Sequence, residues 1–214
     1  VVGESYFNTA PEKLYNYSKH ATTKDEVVPA AVVIPKNVEE ISKIVRICDN
    51  NKIKLTVRGG GTGVSGGALS YNNGVILSLE RLNQIIEINK VDRIAIVEAG
   101  VVTQTLQEAV LNEGLCFPQN ISSSASCFIG GNVAVSSGSP KSLKYGSTKN
   151  YIINLQVVLP NGQIMWTGKN VTKNATGYTL TQLFSGSEGT LGISTKVVLQ
   201  LVEPSQEMRL LVPF

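Results

Sequence analysis

The chain has 214 residues, of which 42% are hydrophobic and 16% charged, and its formal net charge is +3. This composition is typical of a globular chain that buries a full core, and it excludes an intrinsically disordered protein. The basic residues are scattered and form no stripe interleaved with aromatic residues, so the sequence gives little support to nucleic-acid binding.

The three cysteines, Cys48, Cys116 and Cys127, are odd in number, lack metal-ligand spacing and lie among apolar residues. This pattern favours buried free thiols in a reducing compartment, and no metal site is predicted. No apolar run approaches 18 residues, so we predict no membrane-spanning helix. We therefore expect a cytoplasmic protein, with peripheral association at a membrane as an alternative.

The first elements in chain order follow a polar N-terminal lead-in, residues 1–27. Residues 31–35 form a short apolar strand, and Asn37 stands three residues before Glu40, which is the start signal of a helix. Apolar residues then recur at helical spacing, and residues 52–57 form the next strand. The pattern predicts strand–helix–strand.

Three further strands are predicted over residues 74–79, 84–88 and 93–100. Thr103 is predicted to cap a second helix that Gly114 ends. The small-residue stretch from Pro118 to Gly146 is predicted to be a long functional loop. The remaining elements are a hairpin over 152–159 and 163–167, a short helix over 180–184 and a final strand over 193–201. Strands outnumber helices without strict alternation, which predicts an α+β fold in two lobes, residues 28–92 and 93–214.

A glycine-rich segment, RGGGTGVSGG at residues 58–67, directly follows a predicted strand and contains six glycines. Its glycines Gly61, Gly63 and Gly66 match G-x-G-x-x-G, but that dinucleotide fingerprint requires a helix after the loop. Here a turn and another strand follow. A P-loop is also disfavoured, because no Lys-Ser or Lys-Thr pair follows the glycines, and the flanking strands argue against a flexible linker.

The favoured interpretation of this segment is an anion-binding nest. Several glycines in a rigid setting allow consecutive backbone N–H groups to turn toward one point. Arg58, Thr62 and Ser65 are placed to add a positive charge and hydroxyl donors.

The segment resembles the pyrophosphate loop of FAD-linked oxidases of the vanillyl-alcohol oxidase and p-cresol methylhydroxylase superfamily. Within it, the chain is most similar to the branch of the glycolate oxidase large subunit and D-lactate dehydrogenase. Further matching blocks follow in the same order, at Leu77–Leu82, Val97–Val101, Ile129–Asn132, Leu143–Gly146, Val158–Gly162, Lys173–Tyr178 and Gly186–Ile193. Together the blocks cover about residues 28 to 202, nearly the whole chain.

The resemblance implies a two-lobed FAD-binding domain of the p-cresol methylhydroxylase type, with mixed sheets, flanking helices and FAD extended between the lobes. It implies a pyrophosphate site at Arg58, Gly59, Gly60, Gly61, Thr62, Gly63, Ser65 and Gly66. The serine-rich loop would wrap the ribityl and flavin side through Ser123, Ser124, Ser126, Gly130 and Gly131. Gly138 would approach the flavin, and Glu188, Gly189 and Ile193 would pass beside the cofactor. Small hydroxyl residues allow close approach and offer hydrogen bonds to the flavin.

The chain departs from the family pattern at several positions. Thr62 stands where several members carry a His that bonds covalently to the flavin, so we expect noncovalent FAD. Residues 119–121, Gln-Asn-Ile, replace a common Pro-Asp-Pro, which leaves that corner's contacts open, and Thr179 replaces a common Asp. His20, the only histidine, stands where relatives often have Asp, and we expect it to be a surface residue.

The catalytic residues are not identifiable from the chain. The resemblance implies a C-terminal cap domain that supplies the substrate pocket and its acid and base groups, and that domain is expected to be absent from these 214 residues. One histidine and no clustered carboxylates leave no candidate general base.

The resemblance therefore predicts the FAD-binding domain of a flavin-dependent oxidoreductase. That enzyme would oxidise a small 2-hydroxy acid, such as glycolate or D-lactate, by hydride transfer to flavin. The acid would be bound through the missing domain or a partner subunit. One alternative is a noncatalytic FAD-binding or electron-transfer subunit that works with a partner chain. Another is a protein that binds a phosphate ligand without flavin.

Overall fold

The computed structural model describes residues 1–21 and 26–205. Its strands are β1 (Phe7–Asn8), β2 (Ala31–Val33), β3 (Leu55–Arg58), β4 (Val75–Ser78), β5 (Ile85–Asn89), β6 (Ile94–Glu98), β7 (Ile152–Val158), β8 (Ile164–Trp166) and β9 (Ile193–Gln200). Its helices are α1 (Pro11–Leu14), α2 (Val38–Asn50), α3 (Thr103–Asn112), α4 (Ile129–Ala134), α5 (Ser142–Tyr145) and α6 (Leu180–Phe184). Short 3₁₀ turns cover Glu4–Tyr6, Tyr15–Tyr17 and Thr148–Tyr151.

The first sheet has the strand order β1-β2-β4-β3, in which β2, β4 and β3 are parallel and β1 is an antiparallel edge strand. Helix α2 connects β2 to β3, so the predicted strand–helix–strand unit is confirmed. Its start is also confirmed, because Asn37 Oδ1 accepts a hydrogen bond of 2.9 Å from Glu40 N. The Glu40 carboxylate accepts a second bond of 2.8 Å from Lys36 N.

The second sheet is antiparallel, with the strand order β5-β6-β9-β7-β8. The predicted hairpin of β7 and β8 turns at Gly162, whose φ of 78° lies in the left-handed region that glycine adopts without steric cost. The last strand, β9, lies between β6 and β7. The predicted α+β class is therefore confirmed.

Three apolar clusters form the core of the described residues, and the smallest packs Leu14 of α1 on Val32, Ile34 and Ile76. The two larger clusters form most of the core. One packs α3 and α4 on the second sheet, with Leu106 and Val133 fully buried. The other packs α2 on the first sheet, and it also includes Val158 and Ile193 from the second sheet. A hydrogen bond of 2.5 Å from Ser42 Oγ to Gly162 O fixes α2 to the β7–β8 turn. The two sheets thus share a core and hold each other in place.

Two sequence-based expectations differ from the structure. Thr103 does not cap α3 but is its first residue, and its buried hydroxyl donates to Cys127 O at 3.2 Å. The predicted long loop over 118–146 contains α4 and α5. Helix α4 includes two glycines, which have low helix propensity, yet Gly130 packs so closely on Ala99 that an added Cβ would overlap it. In α4, tertiary packing therefore outweighs the low helix propensity of glycine.

The division into lead-in and two lobes stays a prediction. Within it, β1 of the lead-in joins the first sheet, and β5 joins the second sheet although it precedes residue 93. Among the described residues, no helix combines the length and apolar character needed to cross a bilayer.

Candidate cofactor-binding cleft

A cleft of about 260 Å³ opens between the glycine-rich loop after β3 and the start of α4. A narrower extension of about 60 Å³ runs from it toward β9 and shares Gly59, Gly131 and Glu188 with it. The cleft lies where the two sheets meet, because β3 delivers the glycine loop and β9 begins at the far end of the extension.

The cleft brings together most of the predicted site residues. Its main part is lined by Gly59, Gly60, Gly61, Thr62, Gly63, Ser65, Ser123, Gly131 and Glu188, and its extension by Gly130, Gly189 and Ile193. Arg58, Gly66, Ser124, Ser126 and Gly138 line neither part. Sequence reasoning missed several residues that also line the main part, among them Val57, Cys127, Phe128, Asn132, Ala134, Val135 and Ser137. Asn132 belongs to a block that the resemblance had already marked, which was the available signal.

The glycine loop lines the cleft and contains backbone donors without a protein acceptor. Within the part of the chain that the structure describes, the N–H groups of Gly59 through Gly63 donate to no protein acceptor. A Cβ added at Gly63 or Gly66 would meet nothing within 4 Å, so this side of the loop is open. None of residues 59–63 is buried, so their N–H groups are accessible to a ligand. A run of accessible donors without protein partners, beside a concave opening, is the arrangement of an anion nest. The donor set fits a pyrophosphate.

The glycines at the centre of the loop are required by close packing. A Cβ at Gly60 would overlap the Ser126 carbonyl, and a Cβ at Gly61 would overlap the Arg58 guanidinium. Gly61 also has a φ of 68°. The loop is therefore wedged between the serine-rich loop and Arg58, and a flexible linker is excluded.

Arg58 is buried and lines neither part of the cleft. Its Nη1 donates to Ala68 O at 3.0 Å and its Nη2 to Lys19 O at 2.8 Å. Burial lowers the pKa of the guanidinium, although it remains a cation at any ordinary pH. Nη1 and Nη2 are thus engaged by backbone carbonyls, and the direct contact of Arg58 with the cofactor stays a prediction.

The expectation that His20 is a surface residue was wrong. Its side chain is buried, and its Nδ1 lies 3.0 Å from Gly63 O. A carbonyl oxygen only accepts hydrogen bonds, so Nδ1 carries the proton and donates. The contact spans 43 residues of sequence, and no local pattern could have revealed it.

The serine-rich loop is anchored by buried polar groups. The backbone N–H of Cys127 donates to Ser123 O at 2.8 Å, which closes a turn. Asn132 Nδ2 donates to Thr103 Oγ1 at 2.6 Å, and Thr103 in turn bonds Cys127 O. These bonds connect the cleft wall to α3 and α4.

Glu188 faces the glycine loop from the opposite wall. A Cβ added at Gly67 would lie 3.3 Å from Glu188 Oε2. Glu188 has a φ of 53° and nearby Ser136 a φ of 47°. Left-handed backbone at residues other than glycine is strained, and such positions cluster at functional sites. The backbone N–H of Glu188 donates to Ala134 O at 2.8 Å, which holds this strained turn.

The chemistry that the cleft offers is binding rather than proton transfer. Of the described residues that line it, only Cys127 and Glu188 have ionisable side chains. Amides, hydroxyls and one carboxylate can bind a phosphorylated ligand with hydroxyl groups, but no side chain here is arranged as a base with an orienting partner.

Comparison with known proteins identifies the family. Residues 29–168 match the family model of the FAD binding domain. The glycolate oxidase subunit GlcD of Bacillus subtilis is 41% identical over 202 residues, 94% of this chain and 43% of that protein. The D-2-hydroxyglutarate dehydrogenase of Stutzerimonas stutzeri is 39% identical, over 90% of this chain and 42% of that protein. The D-lactate dehydrogenase of Archaeoglobus fulgidus is also 39% identical, over 86% and 41%.

Among solved structures, an alkyldihydroxyacetonephosphate synthase aligns with a TM-score of 0.84 over 95% of this chain and 39% of that one. Its sequence identity is 20%, so the likeness shows the fold. The chain spans about two fifths of the length of the relatives it matches. The match over residues 29–168 and the nest of unpaired amides agree with the resemblance of the motifs: the chain belongs to the FAD binding domain family, and its cofactor is FAD.

Proposed function

We propose that FAD lies along the cleft with its pyrophosphate on the glycine loop, and that the whole protein oxidises a small 2-hydroxy acid. The observation that carries the placement is the run of unpaired amides from Gly59 to Gly63. Three relatives support the reaction, because they are named for glycolate, D-2-hydroxyglutarate and D-lactate, which are all 2-hydroxy acids.

Each wall of the cleft has a separate part in holding the cofactor. The amides of the loop, with the hydroxyls of Thr62 and Ser65, would donate to the pyrophosphate. Ser123 and Asn132 would offer hydrogen bonds on the opposite wall, and the Glu188 carboxylate would accept from a sugar hydroxyl. The flavin supplies the acceptor for the substrate hydride when FAD is bound. Thr62 has no imidazole to attach to the flavin, so binding would be noncovalent.

The general base and the substrate pocket belong to another part of the protein or to a partner subunit in this proposal. The support is the composition of the cleft, where neither Glu188 nor Cys127 is oriented by a second group for proton abstraction.

A cytoplasmic location is proposed from the cysteines, which are all free thiols. Burial raises the pKa of Cys48 and Cys116, which keeps both protonated and unreactive.

The same composition favours a second candidate, a noncatalytic FAD-binding subunit that acts beside a partner chain. The two candidates differ in whether the bound flavin is reduced by a 2-hydroxy acid without a separate partner protein.

The test is the visible spectrum of the purified protein before and after addition of FAD and passage through a desalting column. Retained flavin absorbance supports the proposed site, and its absence in both states would contradict it. Glycolate, D-lactate and D-2-hydroxyglutarate are then added to the FAD-loaded full-length protein in the absence of oxygen, with L-lactate as the stereochemical control. Bleaching by one of the first three supports the oxidase. Retained FAD that none of them bleaches in the full-length protein favours the noncatalytic subunit.

A further inference from the structure

The N-terminal segment, residues 15–21, lies outside the family match of residues 29–168 yet contacts the glycine loop. Residues 15–21 and Arg58 line neither part of the cleft, and we call the side from which they contact the loop its back. His20 Nδ1 lies 3.0 Å from Gly63 O, and the Lys19 carbonyl accepts a bond of 2.8 Å from Arg58 Nη2. The segment therefore contacts the loop at its middle and at its first residue.

Arg58 closes the loop from the same side. Its Nη1 donates to Ala68 O at 3.0 Å, which joins the two ends of the loop through one side chain. The guanidinium packs so closely on Gly61 that a Cβ added at Gly61 would overlap it. No carboxylate within residues 1–21 and 26–205 forms an ion pair with Arg58. A positive charge is thus held at the back of the loop, against Gly61.

The segment is itself firmly held. Ser18 is fully buried, its hydroxyl donates to Tyr15 O at 2.9 Å, and its carbonyl accepts from Val27 N at 2.9 Å. The Tyr17 hydroxyl donates to Glu80 Oε1 at 3.0 Å. This bond fixes the segment to Glu80, two residues after the end of β4. Residues 15–21 are consequently held in place by bonds of their own, independent of their contacts with the glycine loop.

A loop of six glycines has many conformations available, and only a narrow subset turns five amides toward one point. Binding is stronger when that subset is already selected before the ligand arrives. The bonds from Arg58 and His20 restrain the loop at residues 58, 63 and 68, while the described structure has no protein acceptor for the N–H groups of residues 59–63.

We infer that Arg58 and His20 are positioning residues that hold the pyrophosphate loop from behind, and that residues 15–21 are part of the FAD site. This inference rests on the proposed placement of FAD on the glycine loop. Neither side chain touches the cofactor in this arrangement, and both act through the loop.

The test measures the dissociation constant of FAD by titration of flavin fluorescence for four variants. Arg58→Met should raise it about 10- to 100-fold, the range for lost hydrogen bonds to a charged group. Arg58→Lys should lose most of the same affinity, because one ammonium does not bridge two carbonyls as a guanidinium does. His20→Ala should raise the constant about 3- to 10-fold. His20→Asn should recover it, because its amide N–H takes the place of Nδ1–H.

Arg81→Met is the matched control. Arg81 donates to Ile34 O at 2.9 Å and stacks on Tyr6, so the control loses one charge and one carbonyl contact away from the loop. Thermal unfolding without FAD separates positioning from general stability. The inference is supported if Arg58→Met loses FAD affinity while its unfolding midpoint falls no more than that of Arg81→Met.

Equal FAD affinities for Arg58→Met, His20→Ala and Arg81→Met would overturn the inference. Equal FAD affinities of His20→Ala and His20→Asn would overturn the role of His20. If Arg58→Met does not fold, this pair of variants tests whether the loop is positioned from its back. Failure of the unaltered protein to bind FAD would instead contradict the proposed function.

Discussion

Asn132 Nδ2 lies 2.6 Å from Thr103 Oγ1, and this buried contact joins the helix that forms the cleft wall to the first turn of α3. Thr103 also bonds the Cys127 carbonyl, so one hydroxyl serves two partners. One side chain thus adds polar contacts from the wall of the FAD site to α3, beside the apolar packing of Ile129 and Val133 on the second sheet.

Replacing Thr103 by Val should lower the free energy of unfolding by about 1–3 kcal/mol. The reason is that the Asn132 amide would remain buried without its acceptor. Urea denaturation of the FAD-free protein measures the effect. Thr105→Val on the exposed side of the same helix is the control and should change stability by less than about 0.5 kcal/mol. Equal losses in the two variants would show that the hydroxyl network contributes nothing.

Gly60→Ala should destabilise the FAD-free protein by about 1–3 kcal/mol. The new methyl group would overlap the Ser126 carbonyl and push the glycine loop away from the serine-rich loop. Gly63→Ala is the matched control, because its methyl group would enter open space. Chemical denaturation of both variants is the measurement, and the prediction fails if Gly63→Ala proves the more damaging change.

The stability of the protein should decrease at alkaline pH through Tyr17. Burial, together with the nearby Glu80 carboxylate, raises the pKa of Tyr17 to about 12 from its ordinary value of 10.0. The folded state thus favours the neutral phenol, so this stabilisation is complete below pH 10 and is lost between pH 10 and about 12. Unfolding midpoints measured across that window should fall less steeply for Tyr17→Phe than for the unaltered protein. Parallel curves would argue against the assignment.

All of the flavin should be released when the FAD-loaded protein is precipitated with acid. Thr62 lines the cleft with a hydroxyl and has no group that forms a covalent bond to the flavin ring. The measurement is the flavin absorbance of the supernatant compared with that of the pellet. Flavin that stays with the washed pellet would contradict the prediction, and Thr62→Ala should release it equally well.

The sequence predicted those parts of the fold and site that depend on neighbouring residues. The start of α2 was predictable because Asn37 and Glu40 form a local cap. The glycine loop was predictable because six glycines stand together after a strand. Helix α4 was not, because its Gly130 is favoured by contact with Ala99, which lies far away in sequence.

The same distinction applies to the individual site residues. Arg58 was correctly associated with the loop, but its direction depends on the Lys19 and Ala68 carbonyls, which only the folded chain places around it. His20 was misjudged because its partner, Gly63, is distant in sequence. Residue propensity and spacing are sufficient to predict the strands and loops. Which partner a buried polar side chain binds depends on tertiary packing.

The order of strands in the second sheet has a consequence for the making of the protein. The central strand β9 is synthesised after the other eight strands that the structure describes, and both β6 and β7 must wait for it before they can pair fully. The turn with Glu188 and Gly189 that closes the cleft immediately precedes that strand. A growing chain therefore exposes two incomplete sheet edges until about residue 200 emerges, and such edges favour aggregation. The cofactor site and the sheet behind it are completed in the same late step.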